Sequence, residues 1–84
     1  MTIKQMESAA LGVIESKDLA EPTFQKGSLR RIMGFLRTTG KFMNGDEVAL
    51  PSDKDRFKAA YEEYIGRKAS HGEPTVINIL YRLQ

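Results

Sequence analysis

Five cations, Lys26, Arg30, Arg31, Arg37 and Lys41, fall within residues 22–44, and no Asp or Glu accompanies them. Guanidinium forks match phosphate oxygens in geometry, and neutralising phosphates releases counterions. The chemistry these residues suggest is therefore contact with a polyanion, with Arg30, Arg31 and Arg37 at its centre and Lys26 and Lys41 at the rim. The same cations also suit an acidic patch on a partner protein. Phe35 lies off the main apolar stripe beside Arg31, and aromatic residues next to arginine are common interface anchors. The plainer alternative is a solvated cationic face balanced by acids elsewhere in the fold.

A second set sits near the end of the chain. Pro74-Thr75-Val76, followed by Ile79-Leu80 and Arg82-Leu83, resembles the recognition-helix half of some helix-turn-helix and winged-helix regulators. That resemblance would turn Thr75, Asn78 and Arg82 outward toward DNA, where Asn suits adenine and Arg suits guanine. The Gly66–Glu73 link is longer than the tight turn of that motif. The other reading is a C-terminal helix or strand docked by Val76, Ile77, Leu80 and Leu83.

Catalytic chemistry finds little to work with. His71 is the one histidine and there is no cysteine, so neither a thiolate zinc site nor a base–nucleophile pair is expected. Asp53 and Asp55 suit a helix start, Glu62 and Glu63 a solvated helix face, and Asp46-Glu47 a turn. No glycine-rich phosphate loop has the required spacing. The expectation is a chain that is not an enzyme and uses no metal or cofactor.

These residues must be positioned by a few short elements. Thr2 and Gln5 have the capping-box spacing. Ile3, Met6, Ala9 or Ala10, Val13 and Ile14 recur at helical intervals after them, which predicts a first helix over 3–19. Pro22 closes that segment, and 23–27 reads as a linker. Ser28 as cap, Gly40 as stop and a Leu29/Ile32/Met33/Leu36 stripe predict a second helix over 28–39. Asn44-Gly45 marks a turn, so residues 41–50 form either a short hairpin or an ordered loop. Ser52 as cap and the stripe Phe57, Ala60, Tyr61, Tyr64 predict a third helix over 53–68. In it Glu63 and Arg67 hold the i,i+4 spacing of an ion pair. Residues 75–83 fit a helix opened by Pro74, and also an alternating strand.

The fold class that follows is mainly α, a small bundle of three to four helices in a single domain over 1–84. Net charge is only +2, but its distribution is uneven: −2 over 1–21, +5 over 22–44 and −1 over 45–84. No membrane span or signal sequence is expected, and the missing cysteines fit a cytoplasmic setting. A homodimer would help so small a core. The function expected first is a small regulator contacting nucleic acid through the basic helix. The alternative is a protein–protein adaptor or inhibitor docking that helix on an acidic surface.

Overall fold

The computed structural model describes residues 1–16 and 22–84. Its element order is α1 (Ile3–Ser16), α2 (Pro22–Thr39), β1 (Met43–Asn44), β2 (Glu47–Val48), α3 (Lys54–Ile65) and α4 (Glu73–Leu83). The fold is mainly α with a short antiparallel hairpin, as the periodicity suggested.

Local chemistry explains most boundaries. The Thr2 hydroxyl accepts from the Gln5 N–H, and the Gln5 side chain accepts from the Thr2 N–H, at 3.2 and 3.0 Å, a closed capping box. Residues 17–20, where the end of the first helix was expected, lie outside the described residues. The hairpin pairs Met43 with Val48 and Asn44 with Glu47, and Gly45 takes the positive φ its tight turn needs. The cap of α3 is Asp53 rather than Ser52. Its carboxylate accepts from the Asp55 N–H, and Gly66 closes the helix in the left-handed conformation. The C-terminal segment is a helix, not a strand. Pro74 sits in its first turn, where a missing N–H costs nothing.

The second helix departs most from expectation. It starts at Pro22, so 23–27 is helix rather than linker, and Ser28 is an interior residue. The buried Ser28 hydroxyl donates to the His71 carbonyl, tying the middle of α2 to the loop before α4. That hydrogen bond, and the burial of Gln25, hid the start of the helix. Polar residues occupy inward positions where periodicity looks for apolar ones.

The core lies between α1, α2 and α4. Met6, Ala10 and Ile14 come from α1, Leu29, Ile32, Met33 and Leu36 from α2, and Val76, Ile77, Ile79 and Leu80 from α4. α3 covers one side with Phe57 and Tyr61. Its rings meet α2 through Phe35. The Phe35 ring lies 5.7 Å from Phe57, 5.5 Å from Tyr61, 5.1 Å from Tyr64 and 6.2 Å from Phe42. Phe35 is therefore a buried hub, which removes it as an exposed interface anchor. Tyr64, placed in the core stripe by its spacing, is instead 46% exposed.

Candidate functional site

The first turn of α4 holds the one buried carboxylate among the described residues, that of Glu73. Its Oε1 accepts from Arg67 Nη1 at 2.7 Å and from the Ser70 N–H at 2.8 Å. Its Oε2 accepts from Arg31 Nη1 at 3.1 Å, Arg67 Nη2 at 3.3 Å and the buried Tyr61 hydroxyl. Arg67 thus grips both oxygens, the bidentate arrangement that favours Arg over Lys. The anion also lies at a helix N-terminus, where the dipole stabilises it. Burial alone would push this carboxyl up. Arg67, the Ser70 N–H, Tyr61 and Arg31 outweigh that effect and hold it down at about 2. Desolvation first, and the carboxylate second, push the Tyr61 phenol well above its ordinary range.

Every lone pair of this carboxylate is occupied and solvent does not reach it, so the cluster has no vacancy for a substrate. What it does is bind three elements together: α2 through Arg31, α3 and its exit through Tyr61 and Arg67, and α4 through Glu73 itself. Two of its members keep an open side. The Arg31 and Arg67 side chains are 45% and 39% exposed.

The cations singled out from the sequence separate into distinct situations. Lys26 pairs with Glu15 at 3.5 Å and Arg37 with Glu7 at 3.2 Å, both across the α1–α2 boundary. Such exposed pairs contribute about 0–1 kcal/mol and exchange readily. Arg31 faces the other side of α2, toward Glu73. The Lys41 amine lies 5.9 Å from the Phe42 ring centre. Arg30 is exposed and has no ion pair among the described residues. It shares a shallow depression between α1 and α2 with Lys4 and Lys26 and with the carboxylates of Glu7 and Glu15, above Leu11 and Leu29.

The second predicted set does not join the first. Asn78 accepts from Lys54 Nζ at 2.6 Å, so it faces α3. Thr75 is half-buried and Arg82 exposed, and α4 turns its opposite side into the core through Val76, Ile77, Ile79 and Leu80. Neither Arg67 nor Glu73 was anticipated as a site residue. Arg67 turns from Glu63, its expected partner, to Glu73. The one available sequence signal was Tyr61, since a phenol on a core stripe needs a polar partner when buried.

Between its two flanks, the solvent face of α2 runs through Thr23, Lys26, Gly27, Arg30, Gly34, Arg37 and Thr38. A Cβ added at Gly27 or Gly34 would meet nothing within 4 Å. Each glycine costs about 1 kcal/mol of helix stability relative to Ala, and packing within the chain explains neither.

Fold and site together define a small helical bundle pinned by a buried carboxylate, carrying one cationic helix face without carboxylates of its own. Comparison with protein-family models, curated proteins and solved structures gave no match. Among the described residues no group of three or more His, Cys, Asp or Glu could hold a metal ion. No described helix is long and apolar enough to cross a membrane.

Proposed function

We propose that the protein is a non-enzymatic module that binds nucleic acid through the solvent face of α2. The observation that carries this reading is the composition of that face. Lys26, Arg30 and Arg37 are all exposed on that face of a helix that contains no acid, and they flank two glycines over which space is open. Cations at the flanks with a bare backbone between them let a phosphate backbone approach closely. The exposed pairs to Glu15 and Glu7 are weak enough for phosphates to displace those carboxylates.

The test is fluorescence anisotropy with labelled single strands and duplexes between about 50 and 200 mM salt. Arg31 is left intact, because it neutralises Glu73. Replacing Lys26, Arg30 and Arg37 together by Glu should weaken binding and flatten the log–log salt slope by about two on single strands and about three on duplex. Absence of saturable binding by the wild type at the lowest salt would overturn the proposal. The seven-residue spacing of Gly27 and Gly34 favours one other reading, a close-packed acidic helix of a partner protein. That partner would show a shallow salt dependence from the start.

A further inference from the structure

Exposed aromatic side chains are sparse here, and two of them border the same seam. Phe24, 48% exposed, stands near the start of α2 with its ring 6.2 Å from that of His71. Tyr64, 46% exposed, leans on Phe35 from α3. Phe24 and Phe35 are eleven residues apart on one helix, so the two ends of the seam are separated by about 16 Å. Between them lie the half-exposed guanidiniums of Arg31 and Arg67. The carboxylate they enclose, Glu73, is buried and fully occupied, so this cluster shows solvent its two cations and not its anion. Lys68, exposed, follows Arg67; exposed Glu63 stands next to Tyr64, and the half-buried Glu62 carboxylate is engaged by the Ala69 N–H at 2.7 Å.

We infer that this seam between α2 and α3 is a track for single-stranded nucleic acid, with bases stacking on Phe24 and Tyr64 and the intervening phosphates on Arg31 and Arg67. The inference rests on the nucleic-acid reading above and narrows its ligand class. Three features carry it. Aromatic platforms alternating with cations are the common means of holding unpaired strands, because every base has a stackable face whatever its sequence. A span of about 16 Å holds roughly three to five nucleotides, taking about 3.4 Å each when stacked and more when splayed. The Arg side chains are also held in place before any ligand arrives, because Glu73 fixes both guanidiniums, so less ordering is left for binding. A duplex keeps its bases stacked on each other and offers nothing to Phe24 or Tyr64.

The experiment is anisotropy titration of the full chain against three probes: an oligothymidylate of about ten nucleotides, its RNA counterpart, and a duplex of the same length. The wild type should bind at least one single strand more tightly than the duplex. Phe24→Ala and Tyr64→Ala should each weaken single-strand binding by between about 5-fold and 100-fold, the usual range for losing one stacked base. Duplex binding should change less than about twofold. Tyr64→Phe should keep the affinity, because stacking needs the ring and not the hydroxyl. Tyrosine emission quenched by the strand in the wild type should lose that response in Tyr64→Phe. Both replaced side chains are half-exposed, and unchanged circular dichroism would confirm the fold. If the wild type binds nucleic acid but both Ala variants match it on single strands, the seam is overturned and the α2-face reading stands. If the wild type binds none of the probes, both fall.

Discussion

Replacing Glu73 should damage this protein more than replacing any other charged residue described. Glu73→Ala leaves two guanidiniums facing each other, a buried Tyr61 hydroxyl without its acceptor, and the Ser70 N–H unpaired. Removing one member of a buried ion pair costs about 3–5 kcal/mol. The partial exposure of Arg31 and Arg67 lets water solvate part of what remains, which points to the lower end, about 3 kcal/mol. In a domain of this size that corresponds to a fall of roughly 12–24 °C in Tm. The pH dependence gives an independent check. The folded carboxyl titrates near 2 rather than at its ordinary 4.5, so its contribution is fully present above the unfolded value. It is lost as pH falls from about 5 toward 2, amounting to about 3 kcal/mol at most. Urea denaturation of the wild type and of Glu73→Gln at several pH values between about 7 and 2 would show it. The two curves should converge as acid protonates Glu73. A loss below about 1 kcal/mol in Glu73→Ala at neutral pH, or a gap from Glu73→Gln that persists unchanged to pH 2, would refute the clasp.

Other outcomes follow from the same geometry. Phe35→Ala should cost about 3–5 kcal/mol in denaturant melts, because the ring fills the space between α2 and three aromatic partners on α3. Lys26→Ala and Arg37→Ala should each cost less than about 1 kcal/mol, since both pair only at the surface. Gly72→Ala should lower stability by about 1–2 kcal/mol: φ is +88°, and the new Cβ would lie 3.4 Å from backbone atoms of Phe24 and Gln25. Gly34→Ala should do the opposite, raising stability by up to about 1 kcal/mol while weakening ligand binding if the backbone there is approached closely.

The sequence disclosed what is local. The capping box at Thr2 and Gln5, the Asn44-Gly45 turn and the first-turn Pro74 each act over a few residues, and each appears where the pattern placed it, whereas α3 stops at Ile65, before Gly66, rather than running to 68. The α2 boundary failed because Gly27, Ser28 and Gln25 break the apolar rhythm while the backbone continues as helix. Phe35 was misassigned because α2 is packed on more than one side. Its inward arc is wider than one stripe, and a residue just off the stripe is still interior. The Glu73 cluster was illegible for a different reason. Arg31 lies 42 positions away, and a carboxylate beside Pro74 has an adequate local explanation in the helix dipole. The cationic character of α2 was legible, but which cations were free to act was not. Arg31 had to be seen beside Glu73, and Arg37 beside Glu7, before their roles separated.

The two ends of α2 are held very differently. Around Phe35 the helix is locked by four neighbouring rings and by Ile32, Met33 and Leu36. Its first turns rest on Gln25, the Ser28–His71 hydrogen bond and the half-exposed Phe24. Local opening should therefore be graded along a single helix. Backbone amides over 32–36 should exchange with solvent only on global unfolding, while those over 25–28 exchange through smaller fluctuations that leave the bundle standing. A ligand lying along the helix would meet a fixed footing at Tyr64 and a yielding one at Phe24. Its association would then proceed from the rigid end toward the adaptable one, with protection of the 25–28 amides rising as the second contact forms.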